Sequence, residues 1–227
     1  MQKLFYLLFD EADSDGALLR RAMAERVVPI LRGSGAEEIS FFVADDDVSA
    51  GSPVRQSDPP IRAALSLWLA AGSDRTSVEA ALDDLVPGKA GYVVLESRPL
   101  GHERKRGQRT PGMMQLSCVS QRPDISHEEF RRIWHDDHLE VAVETQSTFG
   151  YVRNEIVRPL TEGAPEHWSA IVEESFPIEA LEDPMVFFDA ETEAELAANR
   201  KRMVESCLRF LDLGRIEVTF MSEYFFG

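Results

Sequence analysis

IRAALSLWLAA, residues 61–71, is the segment on which the fold turns. Its alanines and leucines favour a helix. Immediately after it, however, Thr76-x-x-Glu79 reads as a capping box that opens a helix of its own over residues 76–86. That leaves 61–71 as a strand. Upstream, EEISFFVAD (37–45) reads as a strand. Before it, Leu19, Met23, Val27 and Ile30/Leu31 recur at helical spacing and stop at Gly33-Ser34-Gly35. LFYLLF (4–9) is a short continuous apolar run, the pattern of a strand buried on both faces. AGYVVLES (90–97) supplies the last strand. The order is βαββαβ.

The same order returns further along. MMQLSCVSQ (113–121) is a strand, and Ser126-x-x-Glu129 opens a helix that runs to about Thr145. YVRNEIVRPL (151–160) and HWSAIVEESF (167–176) are strands. Thr192-x-x-Glu195 opens a helix to about Leu211, and IEVTFMSEYFF (216–226) closes the unit. Two tandem βαββαβ units are two ferredoxin-like folds, an α+β class. Such a sheet carries helices on one face only, and most strands here are apolar on both alternations. Packing the bare faces together buries them, which predicts a pseudo-dimeric α+β barrel from one chain. Two loosely touching domains are the alternative.

Charge divides the chain in the same place. The 227 residues carry a net charge of −16. Residues 1–99 hold ten basic and sixteen acidic side chains, residues 100–111 four and one, and residues 112–227 ten and twenty-three. The middle stretch, with Gly101, Gly107 and Pro111, reads as an exposed basic linker between a degenerate first repeat and a second repeat that carries the site. The overall acidity argues against nucleic acid or an anionic membrane as partner. No apolar stretch approaches the roughly 18–20 residues of a membrane span. The start, MQKLFYLLF followed by acids, lacks the features of a signal peptide, so a cytoplasmic protein is expected. Cys118 and Cys207 form neither a disulfide framework nor a zinc-ligand spacing.

Chemistry concentrates in FRRIWHDDH, residues 130–138. Steps of four place Phe130, Trp134, His138, Val141/Ala142 and Thr145 on one helix face. That face is apolar and should look at the sheet, while Arg131, Arg132 and Asp136 stay near solvent and His135 flanks. At the same spacing the first repeat has Leu19, Met23 and Val27, so any chemistry belongs to the second. Among the strand residues, Gln115, Ser117, His167 and Glu173 are polar, and the pair Glu173-Glu174 puts one carboxylate on each face. A buried carboxylate there would orient His138; a solvent-facing strand tip is the alternative. Adjacent His135 and Asp136 diverge by about 100° on a helix, which suits metal binding poorly, and no metal is expected. Phosphate-cradling and dinucleotide-binding glycine loops are absent.

SHEEFRRIWHDDHLEVA (126–142) is similar to the helix signature of EthD-domain proteins, and GYVRNE (150–155) resembles that family's second-strand motif. The resemblance covers about residues 113–226. It implies a dimeric α+β barrel, and a superfamily of cofactor-free polyketide cyclases, anthrone-type monooxygenases, muconolactone isomerases and EthD-type dehydratases, together with haem enzymes. His138 and Trp134 match the helix positions, and Tyr151 and Asn154 the strand motif.

The residue types suit acid–base work without a cofactor. A neutral imidazole in an apolar pocket can take a proton from carbon beside a carbonyl. Trp134 supplies a flat wall, and Tyr151 or Asn154 a donor to the enolate oxygen. Strand alternation sets Tyr151 and Asn154 on opposite faces. The expected function is a cyclase, dehydratase or isomerase acting on a polyketide-like or aromatic carbonyl compound. Phe130, Trp134, Val141, His167 and Glu173 are the expected substrate contacts. A small hydrophobic or aromatic molecule is the expected partner, within a pseudo-dimer that leaves further pairing of two chains open. A cofactor-free monooxygenase, a non-catalytic ligand-binding barrel and a haem protein are the alternatives.

Overall fold

The computed structural model describes residues 1–227. The first half runs β1 (Gln2–Phe9), α1 (Gly16–Ala22), a π-helical turn (Met23–Val27), α2 (Val28–Gly33), β2 (Glu37–Val43), β3 (Ile61–Leu69), α3 (Thr76–Asp83) and β4 (Gly88–Leu100). After the short β5 (Gln108–Arg109), the second half runs β6 (Met113–Val119), α4 (His127–Arg132), a π-helical turn (Ile133–His138) and α5 (Leu139–Thr145). It continues through β7 (Gly150–Pro159), β8 (Ala170–Phe176), α6 (Pro184–Phe187), α7 (Glu193–Leu208) and β9 (Glu217–Phe225). The segment that decided the fold is therefore a strand. Packing overrides its helical composition: Ala63, Leu65, Leu67 and Leu69 are covered by the first helix layer, and Ala64 packs inside the barrel.

Strand order β2-β3-β1-β4-β7-β8-β6-β9 closes on itself through the β9–β2 pairing, giving an eight-stranded antiparallel barrel. β4 joins the halves, pairing with β1 through Gly88–Val94 and with β7 from Tyr92 to Leu100. Side chains alternate between two environments. Phe5, Leu7, Phe42, Tyr92, Met114, Leu116, Ile171 and Met221 fill the barrel. Leu4, Tyr6 and Leu8 face outward and pack with Leu19, Met23 and Val27 of the first helix layer. Both faces of the sheet are thus buried by one chain. Lys3, 3% exposed, is held inside the barrel by Glu96 at 2.5 Å and Glu173 at 3.2 Å, the pairing that a buried charge requires.

Three capping boxes were expected, and one is complete. Thr192 accepts from the Glu195 amide while the Glu195 carboxylate accepts from the Thr192 amide. Ser126 caps its helix, but Glu129 turns to Arg132 instead. The Thr76–Glu79 box is absent. Asp74 accepts from both the amide and hydroxyl of Thr76, and Glu79 accepts from Tyr6 Oη at 3.1 Å and Arg75 Nε at 3.0 Å. A buried phenol needs an acceptor, and it takes the carboxylate from the helix end. The basic stretch 100–111 is tied down rather than loose. His102 bonds Glu223, Arg104 bonds Ser40 and Glu38 and lies over the Phe225 ring, and β5 adds to the edge of β9.

Candidate active site

Between the second helix layer and the outer face of its sheet lies a cavity of about 160 Å³. Its wall includes Trp134 and His138 from the π-helical turn, Gln115 and Ser117 of β6, Tyr151 of β7, and Val172 and Glu174 of β8; Met203 and Cys207 of α7 and Phe210 close it. A larger cleft of about 590 Å³ sits in the first half, lined by loop residues such as Asp13, Ser49 and Arg55. The smaller space is the candidate because it is mostly apolar and collects buried titratable groups.

A helix that begins at Ser126 brings Phe130, Trp134 and His138 to the sheet. Phe130 and Trp134 pack at 5.4 Å between ring centroids, and Phe210 packs at a tilt against Phe130 at 5.7 Å and His138 at 4.8 Å. His138 is 6% exposed, and its Nδ1 bonds the Ser206 hydroxyl at 2.9 Å. Burial, with help from Arg209, lowers its pKa to about 4, so the imidazole is neutral near pH 7. The equivalent π-helical turn of the first half holds Met23 and Val27, both in its core. The turn is inherited by both halves, and only the second fills it with chemistry.

Trp134 Nε1 donates to Tyr151 Oη at 3.1 Å. The phenol therefore accepts from the indole and keeps its own proton to donate. Burial and the nearby Glu174 raise the Tyr151 pKa well above its ordinary value, so the hydroxyl stays protonated. Glu174 is 8% exposed and accepts one hydrogen bond, from Gln115 Nε2 at 3.0 Å. Burial raises its pKa to about 7. Gln146 also lines the space, and its Oε1 is buried without a protein partner.

Five expected site residues lie elsewhere. Asn154 alternates away from Tyr151 into the barrel, where its amide donates to Ile171 O and Glu173 Oε1. Glu173 belongs to that interior network with Lys3, so Glu174 is the carboxylate on the cavity side. His167 is exposed beside Trp168, and Val141 is half-buried outside the cavity wall. Phe130 supports Trp134 from behind instead of lining the space. Glu174 and Gln115 were visible in the sequence as polar residues within strands. Nothing local in the sequence announced Ser206, which reaches His138 only by tertiary packing of α7.

His135 flanks the site as expected. Its Nε2 is buried without a partner, and burial with Arg153 and Arg131 keeps its pKa low. Asp137 is engaged by Arg132 and Arg209, and no group of three His, Cys, Asp or Glu side chains converges to hold a metal. A haem does not fit at His138. About 150 Å³ houses one benzene ring, so the space beside this imidazole is far too small for a tetrapyrrole.

An eight-stranded antiparallel barrel flanked by two helix layers defines a dimeric α+β barrel protein whose two halves come from one chain. Within it, residues 122–206, in the second half, match the family model of the EthD domain. An anthrone oxidase-like protein of known structure shares the fold at a TM-score of 0.54 and 9% identity, over 100% of this chain and 94% of that one. A dye-decolorizing peroxidase from Bacteroides thetaiotaomicron shares it at 0.50 and 8%, over 99% and 93%. No curated protein matches the sequence. No helix is long and apolar enough to cross a membrane.

Proposed function

We propose that the second-half cavity binds a neutral single-ring carbonyl compound and moves a proton on the carbon beside the carbonyl. This step underlies cyclisation, dehydration and isomerisation alike. The observation that carries the reading is a neutral, buried His138 sharing one apolar cavity with the free hydroxyl proton of Tyr151. His138 Nε2 takes the proton from carbon, and the C–H electron pair moves toward the carbonyl oxygen. Tyr151 donates to the enolate oxygen that forms. Trp134 and Phe210 supply aromatic wall for the ring. Reprotonation at another carbon completes an isomerisation; departure of a neighbouring hydroxyl as water completes a dehydration. A base with a pKa near 4 is weak, so the reading favours substrates whose enolate is stabilised by conjugation or aromatisation.

The test is deuterium incorporation from D2O into a panel of neutral single-ring ketones, beginning with cyclohex-2-enone and acetophenone, followed by NMR. Expected is exchange above buffer that falls at least about 100-fold in His138→Gln, since general acid–base groups typically contribute 10²–10⁴-fold. Absence of exchange across the panel, or a His138→Gln rate within about tenfold of the parent, refutes the reading.

A second reading draws on the likeness to the anthrone oxidase-like structure. The same carbanion can react with O2, converting a CH2 group and O2 into C=O and water. Oxygen uptake in the same assay separates the two. A three-ring substrate would need a cavity well above the present 160 Å³.

A further inference from the structure

Two neighbouring carboxylates on β8 are treated in opposite ways. Glu173 points into the barrel, where Lys3 and Asn154 both contact its Oε1. Glu174 points into the cavity and is equally buried, yet it faces no cation and accepts only the Gln115 amide at Oε2. Its Oε1 has no protein partner. A carboxyl placed so, beside an apolar ring site, is expensive to keep for structure alone.

The internal repeat shows that the fold does not require it. Gln115 pairs with Glu174, and Ser117 with Val172, across β6 and β8. The corresponding strands of the first half pair Leu4 with Leu67 and Tyr6 with Leu65. Leu19, Met23 and Val27 then occupy the positions of Phe130, Trp134 and His138. At the place of the Gln–Glu pair the first half has two leucines, in a core whose Leu4 and Leu67 are fully buried. The polar pair therefore appears only in the half that also has the histidine.

The structure assigns Glu174 as a second catalytic group of the cavity, with Gln115 as the residue that positions it. This rests on the functional reading above. Glu174 Oε1 faces the bound ring compound and exchanges a proton with it. In its acid form it donates to a substrate oxygen or returns a proton to carbon; ionised, it takes one. With His138 removing a proton and Glu174 returning one at a second atom, the site can shift a double bond with no net change in the enzyme's protons. Burial, which holds this carboxyl near half-ionised at neutral pH, suits it to both directions.

The test compares the pH dependence of ketone deuterium exchange in the parent, Glu174→Gln and the double variant Gln115→Leu/Glu174→Leu, which copies the first half and guards against misfolding. Expected is a step near pH 7 in the parent, lost in both variants, with a rate loss of about 100-fold or more. Gln115→Leu alone should displace the step without abolishing the rate. A Glu174→Gln enzyme that keeps its rate within about threefold and its pH profile overturns the assignment, while loss in His138→Gln leaves the functional reading standing. An independent readout is the 13C carboxyl resonance of Glu174, identified by its absence in Glu174→Gln. It should titrate near neutrality and shift on addition of acetophenone. A resonance that titrates in the ordinary carboxylate range, or ignores acetophenone, overturns the assignment whether or not exchange is observed.

Discussion

Replacing Glu174 by Gln should change how stability depends on pH, and the size of the change follows from burial. The carboxyl has an ordinary value of 4.5 and is raised to about 7 in the folded chain. The native state therefore holds a proton that the unfolded state has released between those values. Its stability falls as pH rises through this window; below 4.5 the group costs nothing. At 1.36 kcal/mol per unit, the full effect above pH 7 is about 3 kcal/mol. His138 works in the opposite sense. Its value drops from 6.5 to about 4 on folding, so its contribution is present above 6.5 and lost as pH falls toward 4. Between roughly pH 4.5 and 6.5 the two slopes oppose each other, and the parent should be nearly flat where these groups dominate. Glu174→Gln removes one slope. The variant should match the parent at pH 4.5 and exceed it at pH 8 by about 3 kcal/mol, or roughly 6–12 °C in Tm for a chain of this size. Urea midpoints and thermal scans of both proteins from pH 4.5 to 8 measure it. A stability difference that does not change with pH would show that Glu174 is solvated in the native state, and the argument for its role would fall with it.

Two further outcomes test the scaffold. Lys3→Met leaves Glu173 inside the barrel without its cation, while Glu96 keeps only Arg98, and should cost about 3–5 kcal/mol in urea unfolding; a loss below 1 kcal/mol would mean that water reaches Glu173. Thr192→Ala removes the complete capping box and should cost about 1 kcal/mol, read as a lower urea midpoint with unchanged slope.

Residues 61–71 illustrate how far local reading carries. Helix propensity favoured one answer, and the position of the next helix favoured the other. The second prevailed because a strand in this place buries both faces. The capping signal used to reach that answer is not itself formed, since Tyr6 claims Glu79. On β7, alternation separated Tyr151 from Asn154 correctly, but it could not say which face was cavity and which was barrel. Along β8 it separated Glu173 from Glu174 and was equally silent about their partners.

The sequence by itself determined the doubled βαββαβ order, the burial of both sheet faces, and the placing of Trp134 and His138 on the sheet side of a helix in the second repeat. These depend on periodicity and on comparison of one half with the other, and both are local. Tertiary structure alone decided that the two sheets close edge to edge through β4–β7 and β2–β9, and that Ser206 of α7 meets His138. It also decided which carboxylate was given a lysine and which was left facing the cavity. The pKa of a buried acid depends on the distance to the nearest cation and donor, and those distances are set between strands far apart in the chain.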